Sequence, residues 1–267
     1  MALRRWLGAV LGGLGMFAVC AQTAHAASPA PPKNIQTFRG ETYRTYQLDP
    51  ARQDLRLYWD GGPVDHLGDF SALQRYVKAA GGELLFAANA GMFDPASKPV
   101  GLFVQNGETK FPLNLQDGPG NFYMKPNGVL VINQHLHALV VKSEDYPELS
   151  TPALWATQSG PMLVIGGEVN PDFMPDSKNR KIRSGVGVTK AGEVIFALSK
   201  QPVTFYEFAE LFLTKFGCRD ALYLDGDISD FWEPGDIEKD GQHHFGPMIG
   251  LVAGAPHEGV TAPPAAP

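Results

Sequence analysis

Three carboxylates and one serine lie within six residues in the last fifth of the chain: Asp225, Asp227, Ser229 and Asp230. They follow a run of strand-forming residues, 221–224, and Gly226 stands between the first two carboxylates. A strand that ends at a carboxylate holds that side chain in place, and a glycine beside it lets a ligand approach the backbone. A carboxylate held in this way can act as a nucleophile or a general base. We therefore predict that other functional groups lie opposite Asp225.

The same acidic stretch could bind a divalent cation, and the EF-hand is the most specific motif of that kind. A loop starting at Asp225 would place Asp230 at the sixth position, where an EF-hand has glycine. A loop starting at Asp236 would place Pro247 at the twelfth position, where an EF-hand has glutamate. The spacing therefore excludes an EF-hand. Two interpretations remain, a less regular divalent-cation site near Asp225 and Asp227, and an acidic loop exposed to water.

A carboxamide is the second candidate group. Asn89 ends the apolar run 84–88, and Gly91 follows two residues later. A carboxamide offers both a donor and an acceptor, which suits the hydroxyl groups of a sugar, and the backbone at Gly91 can approach a ligand. The alternative interpretation is that Asn89 only forms a turn.

Ser159 and Gly160 lie at the centre of a third candidate segment, residues 158–161. The G-x-S-x-G pattern of hydrolase nucleophiles is absent, and the histidines are not placed in a way that suggests a catalytic triad. Ser159 is therefore predicted either to be hydrogen-bonded within a turn or to contact a substrate through its hydroxyl group.

The densest basic cluster lies in residues 178–184. Its guanidinium groups, on Arg180 and Arg183, have the geometry to hold a phosphate through two hydrogen bonds. The following Gly185 and Gly187 lack the third glycine and the helix of a dinucleotide fold, so that kind of site is not supported. The alternative for this cluster is a solvated charged face.

Two stretches have the periodicity of helices. The first is predicted at 69–81, and the second at 205–216 with Thr204 and Glu207 as a capping box. Strands before and after the second helix make a strand–helix–strand unit from Val194 to Asp225. The remaining apolar runs are typical of strands.

Four glycine-containing pairs between apolar runs predict hairpins: Asn106-Gly107, Asn127-Gly128, Gly166-Gly167 and Ala191-Gly192. The second of them is predicted to follow a strand at 122–125. Many strands with few helices indicate an α+β fold, a single domain with a large mixed β-sheet, several hairpins and a few helices.

The two ends of the chain differ in composition from the rest. Arg4 and Arg5 precede an apolar run, and Ala24 to Ala26 offer a small-x-small cleavage pattern, which is typical of a secretory signal peptide. We expect an exported protein, periplasmic or extracellular, and no later stretch reaches the roughly 20 apolar residues of a membrane span. The predicted boundaries are a signal peptide at 1–26, a Pro/Ala-rich linker at 27–33, a domain at 34–254 and a Pro/Ala-rich tail at 255–267.

The charge balance bears on nucleic-acid binding, and the number of cysteines bears on disulfide formation. The chain has 22 Lys and Arg against 28 Asp and Glu, a net charge of −6 that becomes about −8 without Arg4 and Arg5. This balance argues against nucleic acid as a partner. Cleavage removes Cys20 and leaves Cys218, so an intramolecular disulfide is excluded and Cys218 is predicted to pack in the core.

Four blocks, in this order, resemble the phosphodiester glycosidase family: Phe86–Phe93, Gln158–Leu163, Arg183–Gly187 and Leu222–Gly226 with Ser229. The resemblance covers roughly residues 84–250. It implies a mixed α+β domain in which these blocks meet in one cleft. It also implies hydrolysis of a sugar phosphodiester at the anomeric carbon, which releases the sugar and leaves a phosphomonoester.

By matching position, the resemblance implies that Asn89, Ser159, Arg183 and Asp225 are site residues. With the residue chemistry above, we expect three of the site residues to be catalytic: Asp225, Asn89 and Arg183. We expect six to bind substrate: Ser159, Gly160, Gly91, Gly226, Ser229 and Asp227. Asp227 departs from the family, which often has a small residue there, and its charge would bind a cation, serve in acid–base catalysis or repel a phosphodiester.

Two functions from different classes agree with these features. The first is an exported hydrolase acting on a phosphodiester-linked sugar, and the second is a non-catalytic glycan-binding protein that uses the same cleft. The expected partner is a sugar phosphodiester or an envelope glycan. No cofactor is predicted, apart from a divalent cation that could bind near Asp225 and Asp227.

Overall fold

Sixteen strands and two α-helices carry the fold in the residues that the computed structural model describes, which are 34–60, 66–226, 228–236 and 244–254. The helices are α1 (Phe70–Ala79) and α2 (Phe205–Glu210), and α2 continues into a π-helical turn at Leu211–Lys215. Two 3-10 segments lie at Asn121–Tyr123 and Ser143–Glu148. The strands are β1 (Asn34–Phe38), β2 (Glu41–Leu48), β3 (Asp54–Tyr58), β4 (Glu83–Asn89), β5 (Phe103–Gln105), β6 (Glu108–Phe111), β7 (Gly128–Asn133), β8 (Ala138–Lys142), β9 (Ala153–Ser159), β10 (Met162–Ile165), β11 (Glu168–Val169), β12 (Ser184–Thr189), β13 (Val194–Ser199), β14 (Cys218–Asp225), β15 (Phe231–Trp232) and β16 (Met248–Ala253).

The strands form three sheets, which confirms the predicted α+β class with a large β component. The first has the order β1-β2-β13-β12-β14-β10-β11, the second β15-β4-β16-β3, and the third β6-β5-β9-β7-β8. Within the described residues, the paired strands run antiparallel, so the predicted mixture of parallel and antiparallel pairs does not occur there. Antiparallel neighbours can be joined by short turns, which agrees with the many glycine-containing turns of the sequence.

The main core lies between the three sheets, and each sheet contributes large side chains to it. Tyr46 of the first sheet stacks on Phe86 of the second at a centroid distance of 4.0 Å, and Leu130 of the third packs in the same cluster. The strand β14 lies inside the first sheet and is apolar on both faces because both are covered. Leu222 faces this core, while Tyr223 packs in a second cluster under α2.

The two predicted helices form, with one correction. The Asp69 carboxylate caps α1 by accepting from the Ala72 amide (2.6 Å), and the capping box of Thr204 and Glu207 at the start of α2 is confirmed. The expectation of one regular helix over 205–216 is wrong, since the last turn is π-helical. There the Thr214 hydroxyl donates to the Glu210 carbonyl oxygen (2.7 Å) and competes with the regular backbone ladder.

Three of the four predicted hairpins are confirmed, and the one at Asn127-Gly128 is wrong. A two-residue Asn-Gly turn needs positive φ at both positions, which Asn106 (51°) and Gly107 (76°) have and the other pair lacks. Residues 121–123 form a 3-10 turn instead of a strand, and the buried Asn127 side chain donates to the Phe122 carbonyl oxygen (2.9 Å). Gly128 is needed for close approach, because a Cβ there would lie 2.9 Å from the Val141 carbonyl oxygen.

The strand–helix–strand unit from Val194 to Asp225 is also present, with β12 between its two strands. The strands β13 and β14 are both antiparallel to β12 and therefore run parallel to each other. Cys218 begins β14 and is buried as predicted, and burial raises the pKa of its thiol to about 12. None of the helices in the described ranges has the length and apolar character needed to cross a bilayer. The signal peptide, linker and tail predicted at 1–26, 27–33 and 255–267 lie outside the described residues.

Candidate active site

The ends of three strands meet at one point and bring distant parts of the sequence together. In the first sheet, Ser184 at the start of β12 lies opposite Asp225 at the end of β14. The chain then crosses to the second sheet, where Phe231 of β15 pairs with Ala88 of β4. Since β4 ends at Asn89, the crossing segment connects the two strand ends that carry the predicted amide and carboxylate.

A buried serine hydroxyl joins these strand ends. We call the residues bonded through it, Asn89, Ser184, Asp225 and Ser229, the Ser184 network. The Ser184 Oγ donates to the Asp225 carbonyl oxygen (3.0 Å) and accepts from the Ser229 hydroxyl (2.9 Å), from the Asp225 amide (3.3 Å) and from Asn89 Nδ2 (3.3 Å). A hydroxyl oxygen has two lone pairs for these three donors, which explains the two longer distances.

The nitrogen and the oxygen of the Asn89 amide differ in their hydrogen bonding. The residue is 1% exposed, and its Nδ2 donates to Ser184 and, at 3.5 Å, to the Ala90 carbonyl oxygen. Its Oδ1 is buried and accepts no hydrogen bond from any described residue. An unsatisfied buried acceptor costs about 1–3 kcal/mol, and such a group is a ready partner for a donor on a ligand.

Asp225 is held through both its backbone and its carboxylate. Its amide and carbonyl both bond to Ser184, and one carboxylate oxygen accepts from the Gly226 amide (2.5 Å). Asp225 is partly exposed, unlike the fully buried Ser184. Gly226 has no room for a side chain, because a Cβ there would lie 2.3 Å from the Tyr223 hydroxyl oxygen and 2.8 Å from the Ile182 carbonyl oxygen. The glycine after the aspartate is therefore required by close packing.

Ser159 and Gly160 lie at the end of β9 in the third sheet and support the end of β14. The Ser159 hydroxyl is fully buried and donates to the carbonyl oxygen of Leu224 (2.9 Å), directly before Asp225. A Cβ at Gly160 would lie 2.7 Å from the Phe122 carbonyl oxygen. The structure thus places both residues beside the site, with the serine hydroxyl bonded to the protein.

Gly91 lies two residues after Asn89 and is packed against β9. Its amide donates to the Thr157 Oγ1 (3.1 Å), and a Cβ there would lie 2.2 Å from the Gln158 carbonyl oxygen. In this structure the Gly91 amide is therefore used by the protein, and the glycine allows β4 and β9 to approach each other.

The two arginines of the basic cluster have opposite environments. Arg180 is exposed and donates to both carboxylate oxygens of Glu207 (2.7 and 2.9 Å) and to Glu41 (2.7 Å). The hydrogen bonds to Glu207 are the main reason that the pKa of Arg180 is raised. This residue is therefore paired with carboxylates on the surface.

Arg183 is 1% exposed and stacks on aromatic rings. Its guanidinium carbon lies 3.6 Å from the centroid of the Phe205 ring, its Nε donates to the Val203 carbonyl oxygen (2.9 Å), and its Nη2 donates to the Asn179 carbonyl oxygen (3.1 Å). Cation–π contact and carbonyl acceptors compensate part of the cost of burying this charge. The positive charge is therefore fixed in position next to the start of β12.

An ion-pair cluster anchors the far end of the crossing segment. Arg44 of β2 donates to Glu233 (2.6 and 3.0 Å), to Asp236 (2.6 Å) and to the Phe231 carbonyl oxygen (2.7 Å). Burial alone would lower the pKa of Arg44, but the bonds to the two carboxylates outweigh it and raise the pKa. The segment that carries Ser229 is thus fixed at both ends, by Ser184 and by Arg44.

The acidic residues divide between described and undescribed parts of the chain. Asp230 accepts from the Phe231 amide (2.8 Å), whereas Asp227 lies outside the described residues. Among the residues that the structure describes, no three His, Cys, Asp or Glu side chains lie close enough to hold a metal ion together. The divalent cation near Asp225 and Asp227 thus stays a prediction.

Two residues of this site did not stand out in the sequence. Ser184 follows Arg183 in one of the blocks, but only its position opposite Asp225 makes it a contact for three other residues. Arg44 lies in a strand about 190 positions from its acidic partners, and an arginine alternating with apolar residues is also typical of any half-buried strand.

Comparison with known proteins agrees with the order of these blocks. The family model for phosphodiester glycosidases matches residues 82–230. The chain is also 32% identical over 238 residues to the uncharacterized protein YigE of Escherichia coli (strain K12), and the match covers 89% of each chain. The chain belongs to the phosphodiester glycosidase family.

Solved structures show that this family fold is shared with distant proteins. The catalytic domain of zebrafish N-acetylglucosamine-1-phosphodiester α-N-acetylglucosaminidase, auto-inhibited by its pro-peptide, matches with a TM-score of 0.60 and 18% identity over 85% of each chain. A putative exported protein of Burkholderia pseudomallei matches with a TM-score of 0.50 and 14% identity, over 79% of this chain and 74% of that one. At these identities the likeness shows the fold.

Proposed function

We propose that this protein hydrolyses a sugar phosphodiester at the anomeric carbon, releasing the sugar and leaving a phosphomonoester. The observation that carries the proposal is the Ser184 network, which holds a buried amide oxygen with no partner among the described residues beside a partly exposed carboxylate. Membership of the phosphodiester glycosidase family supports the same reaction class.

In the proposed reaction, the bond between the anomeric carbon and the phosphate oxygen breaks. The electron pair stays on the phosphate oxygen, and water supplies the hydroxyl group to the carbon. Asp225 acts either as the nucleophile, through a glycosyl ester that water then hydrolyses, or as the base that takes a proton from the attacking water. A phosphomonoester is a good leaving group and needs little protonation as it departs.

Two further residues complete the proposed site. The Oδ1 of Asn89 accepts a hydrogen bond from a sugar hydroxyl group, and this contact satisfies a buried acceptor that has no partner among the described residues. Arg183 supplies positive charge for the phosphate, and its burial makes that charge more effective than one in water.

A panel of sugar 1-phosphodiesters, varied in sugar and anomer, tests the proposal. The release of free sugar is measured for the wild type, for Asp225→Asn and for Asp220→Asn. Asp220 is a matched control because it lies on the same strand, where it accepts from the Gly166 amide (2.8 Å) at the opposite end. We expect Asp225→Asn to lower kcat by at least about 100-fold and Asp220→Asn to leave it unchanged.

Two outcomes would overturn the proposal. Undiminished sugar release by Asp225→Asn would exclude Asp225 as nucleophile or base. Retained glycan binding by the wild type without turnover of any diester would favour the glycan-binding alternative, in which the same cleft holds a sugar without cleaving it.

We also propose that the protein is exported before it acts. The arginines and apolar run at the amino terminus support this, and so does the fold shared with a protein described as a putative exported protein. Expression of the full-length gene with determination of the mature amino terminus tests it, and an uncleaved cytoplasmic product would contradict it.

A further inference from the structure

A groove of about 190 Å³ opens beside the buried Arg183. It lies between the 3-10 turn at Asn121–Tyr123, the loop 172–179 and the start of α2. Phe205 and Asn179 line the groove, and the same two residues contact Arg183, by the stacked ring at 3.6 Å and by the carbonyl oxygen at 3.1 Å. The groove therefore shares two wall residues with the surroundings of Arg183.

The opposite wall of the groove is also continuous with a predicted site residue. Asn121 lines it, and a Cβ at Gly160 would lie 3.3 Å from the Asn121 carbonyl oxygen. Gly160 follows Ser159, which supports the strand end at Asp225. A substrate with its phosphate near Arg183 would consequently extend into this groove with the group on the far side of the phosphate.

The groove is open to solvent, and its lining combines apolar and polar side chains. The apolar ones are Met124, Phe173, Met174 and Phe205, and the polar ones are Asn121, Asp172, Ser177, Asn179 and Tyr206. Met174 is 61% exposed and Met124 is 37% exposed, and both belong to the small set of large apolar side chains exposed in the described residues. Methionine side chains are flexible and polarizable, which suits a ligand of variable apolar shape. Exposed apolar side chains gathered at one groove indicate a binding surface.

The charges of the lining side chains limit which charge a bound ligand can carry. The lining side chains in the described residues include one carboxylate, on Asp172, and no cation. A second phosphate or another anion in the groove would meet like charge without a counterion. The ligand part that fits is therefore uncharged, and any apolar portion of it would lie against the two methionines.

We propose that this groove binds the group esterified to the far side of the substrate phosphate, and that this group carries an uncharged alkyl chain. The inference rests on the proposed function, because it assumes that the phosphate lies near Arg183. It assigns the substrate class as sugar phosphodiesters of an alkyl alcohol, with the sugar in the Ser184 network and the chain between Met124 and Met174.

A series of diesters with the same sugar tests the inference. The alcohol part is ethyl, butyl, hexyl or octyl, with glyceryl and glycosyl esters of the same sugar phosphate as polar comparisons. We expect kcat/KM to rise by about threefold for each added methylene until the groove is filled, since each buried methylene contributes a fixed gain. The glyceryl and glycosyl esters should react no faster than the ethyl ester.

Two variants separate the groove from general surface hydrophobicity. The double variant Met124→Gln and Met174→Gln should lower kcat/KM for the octyl ester by roughly tenfold and leave the ethyl ester unchanged, because several methylenes lose their apolar contact. Leu139→Gln is the matched control, since Leu139 is a similarly exposed apolar residue (38%) outside the groove lining. That control should retain the full dependence on chain length.

The results separate failure of the inference from failure of the proposed function. Cleavage of all diesters at equal rates, or preference for the glycosyl ester, would overturn the alkyl-binding groove while the reaction stands. No cleavage of any diester would overturn the reaction, and calorimetric titration of the octyl and ethyl diesters would then decide on the groove. Equal affinities for the two, or tighter octyl binding that persists in the double methionine variant, would overturn it.

Discussion

Ser184→Ala should damage the proposed site more than it damages the fold. The substitution removes the oxygen that accepts from Asn89, Asp225 and Ser229 and donates to the Asp225 carbonyl. Ser229 is partly exposed and can bond to water, but the Asn89 Nδ2 and the Asp225 amide are left with poorer partners. Two weakened buried donors should lower the free energy of unfolding by about 2 kcal/mol.

The expected kinetic effect is larger than this stability change suggests. Without Ser184, the amide of Asn89 loses a contact that fixes its orientation, and the end of β14 loses both bonds between the Asp225 backbone and the serine hydroxyl. Misplacement of catalytic groups by about 1 Å can cost 100-fold in rate. We expect kcat for the best diester of the panel to fall by roughly 10- to 100-fold, with a change in KM below about threefold.

Ser143→Ala is the matched control for this prediction. Ser143 is equally buried (1%) and accepts from the Gln158 Nε2 (2.9 Å), outside the Ser184 network. Chemical denaturation should show a similar loss of stability in both variants, whereas only Ser184→Ala should lose activity. Wild-type kcat in Ser184→Ala at reduced stability would refute the positioning role and leave Ser184 as a structural residue only.

A double-mutant cycle with Asn89→Ala adds a second readout. If Ser184 acts by orienting Asn89, then Ser184→Ala should lower kcat much less in the Asn89→Ala background than in the wild type. Strictly additive effects on log kcat would show that the two residues act independently.

Three further predictions concern the elements around the site. Gly226→Ala should abolish sugar release and lower the unfolding free energy by about 1–3 kcal/mol, since the added methyl group would overlap the Tyr223 hydroxyl. Sugar release is assayed at a temperature where the variant is folded. Arg44→Met should lower the free energy of unfolding, measured by denaturant titration, by about 3 kcal/mol, because Glu233 is left buried without its arginine. Adding Glu233→Gln should restore most of this stability. Glu207→Gln should reduce the loss of stability between pH 7 and pH 3. Burial alone would raise the pKa of Glu207, but the hydrogen bonds from Thr204 and Arg180 outweigh burial and lower the pKa. The ionised carboxylate therefore stabilises the fold above the pKa of the unfolded chain, and this stabilisation is lost as pH falls through the pKa of the folded protein.

The parts of the fold that the sequence predicted are those controlled by neighbouring residues. The capping box at Thr204 and the turn at Asn106-Gly107 involve side chains within a few positions, and both formed as expected. Cys218 was expected in the core because an apolar strand follows it directly, and it is 1% exposed.

The structural features that the sequence did not predict involve residues whose role depends on distant neighbours. Asn127-Gly128 has the composition of a tight turn, but Gly128 begins β7 and pairs with Ser159 of β9. Ser184 was overlooked for the same reason. A serine at the start of a strand is unremarkable until Asp225 and Asn89 are brought within 3.3 Å of its hydroxyl oxygen by two different sheets.

The basic cluster shows how folding distinguishes residues that look equivalent in sequence. Arg180 and Arg183 are three positions apart, and either could hold an anion. The charge of Arg180 is compensated by Glu41 and Glu207 and lies in high-dielectric surroundings, so it adds little field at the site.

Arg183 differs in that its position is set before any substrate binds. Its Nε and Nη2 bonds to backbone carbonyls and its stacking on Phe205 mean that the guanidinium group cannot turn towards a ligand without losing these contacts. A charge fixed in this way needs no reorganisation during a reaction, which is the property that makes electrostatic stabilisation effective in catalysis. Burial then favours Arg183 over Arg180 as the positive charge that serves the phosphate.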